Sequence, residues 1–294
     1  MSRPMSTPAA PVLAGAGYRI RRQVKTGLTH LAAWGTIFIL ALPVLYALVM
    51  STLSFQEAYR FPPTLVPGSD LLSNLQEAWV HINMGRLLFN STVVAVAVAV
   101  GKMVLSVLAA FAFTYFGDFR GKWLFFGLIL ITHMLPLPVR IVPTFELITR
   151  LGWADTYWAL TVPFFASATG TLLFRQFFLT VPHALADAAR IDGAGPMRFL
   201  VSILLPLSRT NLAALFMVEF IYAWNEYLWP LVATSSDRMR VVQIGIKTLL
   251  ASEAQAAEWN VVMAGAMISI VPPLLVLLLL QGAFVKGFAL QQEK

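Results

Sequence analysis

The sequence predicts an all-α polytopic membrane protein with six transmembrane helices and both termini on the cytoplasmic side. Composition carries the first part of that reading. Of the 294 residues, 58% are hydrophobic and only 12% charged, whereas a soluble domain carries about 25% charged residues. Pattern carries the second. Six apolar runs are each long enough to cross about 30 Å of hydrocarbon as a helix. They are continuously apolar, unlike the alternating strands of a membrane barrel. No internal repeat is visible, which argues against a secondary carrier built from inverted repeats.

In chain order, residues 1–27 form a leader containing proline, alanine and arginine, expected to be cytoplasmic and largely irregular. It does not read as a cleavable signal, because the apolar run behind it is too long and lacks a small-residue cleavage site. Residues 28–294 are one body, and its first span is 28–52. The loop 54–85 is punctuated by Pro62, Pro63, Pro67 and Gly68. Its second half predicts an amphipathic helix around Leu71 to Trp79, either anchored at the membrane interface by Trp79 or forming a docking surface. Span two, 86–113, holds Lys102 well inside the apolar run. Span three, 123–148, contains Arg140 with Pro136, Pro138 and Pro143, and span four, 155–180, contains Pro163. Intramembrane proline frees carbonyls that neighbours or water must satisfy. That suits an aqueous path but is also ordinary in membrane helices.

Residues 182–206 form a polar island between spans four and five. The stretch A-D-A-A-R-I-D-G-A-G-P-M-R-F-L-V-S-I-L-L-P, 186–206, predicts two short helices broken at a glycine. Thr180 and Pro182 offer a start, and Leu185, Ala188 and Ala189 fall on one face. Gly193 suits the left-handed conformation that ends a helix, and Pro196 suits the first turn of the next. Phe199, Leu200, Ile203 and Leu204 then make a second apolar stripe. A short helix pair with a small-residue face suits docking into a partner's cleft.

Span five, 207–234, carries Glu219 and the string W-N-E-Y-L-W-P-L at 224–231, with Asn225 and Glu226 in one turn. These two tilt the string towards a polar path, while Trp229 alone reads as an interface anchor. Span six is 260–286. Charges this deep are costly and face a cavity or a partner. Helical rise places Arg140 and Glu226 at similar heights in the outer half, and Lys102 and Glu219 nearer the cytoplasmic side. They are either two buried ion pairs fixing helix register or the lining of a substrate path: Lys102, Arg140, Glu219, Asn225 and Glu226. Arg140 favours an anionic cargo, because a guanidinium grips phosphate in a bidentate way.

Orientation follows from the basic residues. Arg3, Arg19, Arg21, Arg22 and Lys25, then Arg120 and Lys122, then Arg190, Arg198 and Arg209, then Lys286 and Lys294 share one side if both termini are cytoplasmic. The other side has Arg60, Arg86, Arg150, Arg238, Arg240 and Lys247. The majority puts the island in the cytoplasm. The net charge of +7 is accounted for by this placement and does not call for nucleic acid.

Several chemistries have no basis in the sequence. Gly121-Lys122-Trp123 lacks the first glycine and the hydroxyl residue of a phosphate-binding loop, so ATP would need a separate subunit. Cysteine is absent, which excludes disulfides and thiolate sites. His30, His81, His133 and His183 have no metal-ligand spacing, and no G-x-S-x-G elbow is present.

The island resembles the EAA loop of bacterial ATP-binding-cassette importer permeases: Asp187-Ala188-Ala189, then Gly193, then Ile203-Leu204-Leu205-Pro206. Asp187 departs from the family's usual glutamate, keeping the charge with a shorter reach. The chain also resembles the carbohydrate-uptake class, related to the maltose permeases, and within it the branch that carries sn-glycerol 3-phosphate. The strings carrying this are L-P-L-P-V-R-I-V-P-T (135–144), S-A-T-G-T-L-L-F-R-Q-F-F-L-T-V-P (167–182), A-A-R-I-D-G-A-G-P-M-R-F (188–199) and L-P-L-S-R-T-N-L-A-A-L-F (205–216), with W-N-E-Y, G-I-K (245–247) and E-W-N-V-V-M (258–263).

The resemblance implies a multi-pass permease of the bacterial inner membrane that binds no cofactor and is not itself an enzyme. It implies a second homologous permease, two ATPase subunits holding ATP and magnesium, and a periplasmic or lipid-anchored substrate-binding protein. It assigns ATPase coupling to Asp187, Ala188, Ala189, Arg190, Asp192, Gly193 and Pro206. A neutral sugar or oligosaccharide is the alternative cargo, glycerophosphodiesters an extension, and an ATP-independent channel or carrier the remote alternative.

Overall fold

The computed structural model describes residues 15–134, 136–250 and 257–289, with side-chain environments over 24–131, 136, 138–250 and 257–283. The regular elements within that range are helices. They are α1 (Gly15–Met50), α2 (Phe55–Ala58), α3 (Leu71–His81), α4 (Met84–Tyr115), α5 (Lys122–Met134), α6 (Leu137–Arg150), α7 (Tyr157–Thr161), α8 (Ala168–Thr180), α9 (His183–Ile191), α10 (Pro196–Phe199), α11 (Leu205–Leu207), α12 (Arg209–Trp224), α13 (Leu228–Ala233), α14 (Val242–Leu250) and α15 (Trp259–Ala289). A 3₁₀ turn (Val162–Phe164) follows α7, and a π-helical turn (Leu200–Leu204) follows α10.

Three helices are long and apolar enough to cross a membrane unbroken: Val24–Met50, Met84–Tyr115 and Trp259–Ala283. These helices overlie the apolar runs expected at 28–52, 86–113 and 260–286. Helix α1 starts at Gly15 rather than at residue 28, so the second half of the expected irregular leader is helical; residues 1–14 lie outside the described range.

Expected spans three to five are each interrupted. Span three divides into α5 and α6, because Pro136 and Pro138 remove two N–H donors that a continuing helix needs. Pro136 is extended at ψ 148°. Span four bends by 44° between Tyr157–Phe164 and Ala168–Thr180. Ser167 is extended there, and its hydroxyl caps α8 by accepting from the Gly170 N–H at 3.1 Å. The chain turns by 78° between Pro196–Leu207 of the island and Arg209–Trp224 at the head of span five, and span five itself stops at Trp224 before the short α13. At the sharp turn Pro206 supplies no N–H, and the buried Ser208 hydroxyl donates to the Leu204 carbonyl at 2.5 Å. Each break has the local cause expected of a kink.

The centre of the bundle is α4, packed by α8 and α12, with α15 against α12 and α3. Helix α4 is apolar on every side, so periodicity does not orient it; buried polar groups do. Asn90 donates to the carbonyls of Arg238 and Arg240 at 2.8 Å each and accepts from the Tyr157 hydroxyl at 2.7 Å. Ser91 accepts from the Val242 N–H at 2.8 Å. Lys102 and Ser106 continue the polar seam toward the other end. Gly170 lets α8 approach there: a Cβ on it would collide with Ser106 Oγ and crowd a Leu215 methyl.

The N-terminal end of α4 thus meets the loop before α14, and its C-terminal end meets α9 and α10. Around that lower end Phe111, Phe174, Phe178, Phe199, Leu200 and Leu204 form one buried cluster. Helix α3 appears as expected. Its Asn74 donates to the carbonyls of Ser51 and Leu53 and accepts from Asn260, which ties the end of α1 to the start of α15.

Candidate functional site

Two places gather the residues singled out in the sequence: a buried polar cluster among α4, α8 and α12, and the hairpin of α9 and α10.

In the cluster Lys102 Nζ lies 2.6 Å from Glu219 Oε2, with the two side chains 11% and 9% exposed. Glu219 Oε1 accepts from the Ser167 hydroxyl at 2.9 Å, and Ser106 donates to the Ser167 carbonyl at 3.2 Å. One carboxylate therefore joins three helices and receives donors on both oxygens, as a buried charge requires. Lys102 Nζ also stands 5.0 Å from the centre of the Tyr222 ring, within the range of a cation–π contact. Beside it a cavity of about 30 Å³ is lined by Lys102, Phe164, Tyr222, Glu226 and Trp229 among others, which is room for about one water.

The Lys102–Glu219 pairing read from helical depth is present; the Arg140–Glu226 pairing is not. The Glu226 carboxylate accepts from the backbone N–H groups of Leu228 and Trp229 at 3.1 and 3.2 Å, capping α13. The helix break at Asn225 turned this carboxylate to a local task that a continuous helix would not have offered. Arg140 is exposed on α6, and among the described residues no carboxylate lies within 4.0 Å of it. Asn225 is exposed and donates to the Ile221 carbonyl at 2.8 Å, closing the end of α12. Trp229 is no interface anchor. It is 1% exposed, its indole N–H donates to the Ala159 carbonyl at 3.0 Å, and its ring meets Phe164 edge-on at 5.5 Å.

The hairpin forms as the glycine and proline predict. Helix α9 closes with Asp192 at its C-cap and Gly193 at φ +75°. The Gly193 N–H donates to the Arg190 carbonyl at 3.0 Å, and the Ala194 N–H to the Ala189 carbonyl at 2.8 Å. These are the paired bonds of a Schellman ending, which needs a residue tolerant of positive φ. Pro196 then opens α10.

One expectation about this face is corrected. Ala189 does not share a free face with Leu185 and Ala188: it is 4% exposed and packs with Phe178, Phe199 and Leu204 inside this chain. The open face instead carries Leu185, Ala188, Ile191 and Met197, with Asp187, Asp192 and Arg198 around them. Ile191 is 87% exposed, an unusual position for an isoleucine ending a short helix.

Arg190 is bound from two sides. Its Nη1 lies 3.1 Å from Asp187 Oδ1, its Nε donates to the Tyr115 hydroxyl at 3.3 Å, and its guanidinium sits 4.9 Å from the Tyr115 ring centre. The hydrogen bond to Tyr115 raises its already high pKa, so it remains a cation throughout the physiological range.

Sequence reasoning missed Tyr115, Ser167, Ser106 and Tyr222. Helical spacing marked two of them: Ser106 lies one turn beyond Lys102, and Tyr222 one turn beyond Glu219.

Comparison with known proteins agrees with this architecture. Residues 102–289 match the family model described as binding-protein-dependent transport system inner membrane component. The sn-glycerol-3-phosphate transport system permease protein UgpE of Rhizobium meliloti (strain 1021) is 48% identical, covering 91% of this chain and 97% of that protein. The protein of the same name from Pectobacterium atrosepticum is 49% identical, covering 85% and 91%. A crystal structure of a bacterial ABC transporter involved in the import of the acidic polysaccharide alginate aligns with a TM-score of 0.77 at 22% identity, over 95% of this chain and all of that one. The likeness to that structure is one of fold. The fold, the hairpin and the family match together establish that the chain belongs to the family of binding-protein-dependent transport system inner membrane components.

Proposed function

We propose that the chain is one of two permease subunits of an ATP-driven importer that carries sn-glycerol 3-phosphate across the bacterial inner membrane. The observation that carries the reading is the relationship to permeases of that name, 48% identical over 97% of the relative's length. A neighbouring fold has been crystallised with a substrate-loaded periplasmic protein, which supports delivery of cargo by such a protein here. The chain spans the membrane six times with both termini in the cytoplasm: α1, α4 and α15 as whole spans, α5–α6, α7–α8 and α12–α13 as broken ones. A homologous permease completes the pore, and two ATPase subunits hold the ATP and magnesium. This chain binds neither.

In this reading the exposed face of α9 and α10 seats in the ATPase. Closure of the ATPase pair moves the hairpin, and the bundle rocks between inward-open and outward-open states that bind substrate differently. Asp187 and Asp192 sit beside Ala188 and Ile191 on that face and supply polar contacts around an apolar centre. Lys102, Glu219, Asn225 and Glu226 border the path, and Arg140 lies on the exposed side of α6 with no carboxylate within ion-pair distance among the described residues. A guanidinium suits a phosphate ester better than a neutral sugar.

The test is ligand-stimulated ATP hydrolysis by the co-purified complex. Glycerol 3-phosphate with its binding protein is expected to stimulate hydrolysis, and Gly193→Pro to remove the stimulation, since proline cannot adopt φ +75° and lacks the N–H bound to Arg190. Normal stimulation in that variant refutes the hairpin's role. Stimulation by a neutral sugar alone refutes the cargo.

A further inference from the structure

We infer that Tyr115 and Arg190 form a clasp by which movement of the hairpin reaches the buried Lys102–Glu219 pair, and that both are positioning residues for transport. The inference rests on the proposed seating of α9 and α10 in an ATPase. Tyr115 is the last residue of α4, and both limbs of the hairpin hold it. From α9, Arg190 donates to its hydroxyl and lies over its ring. From α10, Phe199 packs on the same ring with centroids 5.5 Å apart, while Phe111 backs it from within α4 at 4.8 Å. Arg190 is itself set by Asp187 on the preceding turn.

The direct route along the chain from the hairpin to Glu219 passes through two interruptions of α-helical geometry. One is the π-helical turn Leu200–Leu204, and the other is the 78° bend before Arg209. The chain changes course at both, so a displacement of α9 is not passed along one helix axis. The route through Tyr115 has no such interruption. Helix α4 runs unbroken from Met84 to Tyr115 without an internal proline, and the rise of about 1.5 Å per residue places Lys102 roughly 20 Å along it from Tyr115. At that point α4 meets α12 through the 2.6 Å ion pair and α8 through Ser106 and Ser167. A pull on Tyr115 therefore moves one rigid helix against two others at their shared polar contact. Beside the clasp a cavity of about 70 Å³ lies among Thr114, Tyr115, Phe178, Pro182, Asp187 and Arg190, which leaves room for the Arg190 side to shift while Phe199 stays packed in the buried cluster.

The test uses the complete complex in proteoliposomes and reads substrate taken up per ATP hydrolysed, with assembly measured by co-purification. Tyr115→Phe keeps the ring and loses the hydroxyl; Tyr115→Leu loses both. Uptake per ATP is expected to fall only about twofold in Tyr115→Phe and about tenfold in Tyr115→Leu, the scale of effect for residues that carry coupling. A wild-type ratio in Tyr115→Leu overturns the inference. If that variant does not assemble, Arg190→Gln decides, because Arg190 is exposed and its loss leaves the Phe199 contact in place. Its ratio is expected to fall as well, and a wild-type ratio overturns the clasp. Ala188→Trp, on the open face, runs alongside. If it uncouples while both clasp variants remain coupled, only the clasp fails. If it too remains coupled, the hairpin's seating in the ATPase fails, and the clasp with it.

Discussion

Neutralising Lys102 alone is expected to harm the protein more than removing its whole ion pair. Nζ lies 2.6 Å from Glu219 Oε2, and the side chains are 11% and 9% exposed. At an effective dielectric of about 20, unit charges this close attract by roughly 6 kcal/mol. Taking both ions out of water offsets most of that gain. Lys102→Met leaves a buried carboxylate whose remaining side-chain donor is Ser167, and stranding one member of such a pair costs about 3–5 kcal/mol. Glu219→Gln leaves the ammonium without its carboxylate in turn, with the Tyr222 ring centre 5.0 Å away. In Lys102→Met with Glu219→Gln the amide still bonds Ser167 and no charge is left buried, so most of the loss returns. The assay is a double-mutant cycle on denaturant unfolding of the complex in detergent, with membrane levels of each variant measured in parallel. A coupling energy of at least about 2 kcal/mol is expected. Single effects that add within about 0.5 kcal/mol refute the reasoning, because independent sites behave that way.

Three further outcomes are expected. Arg140→Met should change stability by no more than about 0.5 kcal/mol, as for an exposed side chain outside any network, yet lower uptake of the phosphate ester; wild-type uptake removes Arg140 from the path. Trp229→Phe leaves the buried Ala159 carbonyl without its indole donor and should cost about 1–3 kcal/mol, read as a drop in the complex's melting temperature; an unchanged temperature contradicts the buried bond. Asp155 accepts from the Ser235 and Ser236 N–H groups at 3.0 Å each. Its slight burial raises its pKa, but hydrogen bonding to the Ser236 side chain, with the backbone bonds from Ser236 and Ser235, outweighs that and leaves it lowered. A lowered folded pKa gives stability that is present above the unfolded value of about 3.9 and lost as pH falls through the folded one. Asp155→Asn should therefore flatten the acid limb of a stability-versus-pH curve, and an unchanged limb contradicts the assignment.

The helical class and the hairpin were legible because they rest on local physics. Continuous apolar runs admit only helices in a bilayer, and Gly193 followed by Pro196 allows few backbone paths. For Lys102 and Glu219 the shared depth left an ion pair and a path lining both open, and the structure forms the pair. The broken spans were not legible, since apolarity sets how much chain lies in the membrane but not whether it is straight. Pro136, Pro138 and Ser167 mark the breaks only once neighbouring helices are seen to tolerate them. The same breaks explain the misplaced partners. A continuous span five would have aimed Glu226 across the bundle toward Arg140, whereas the stop at Asn225 gave it the backbone of α13 instead. Ala189 was placed on the open face because short helices carry too few residues for their apolar side to be distinguished from a small-residue side. Its burial is decided by Phe178 from α8 and by Phe199 and Leu204 from the stretch that follows α9.

The most direct test is accumulation of radiolabelled sn-glycerol 3-phosphate in proteoliposomes holding the chain, its partner permease, the ATPase pair and the binding protein. The account predicts accumulation above the external concentration that requires ATP and every component and is lost in Gly193→Pro. Accumulation of a neutral sugar but not the phosphate ester, or equilibration of the ester without the ATPase, contradicts it.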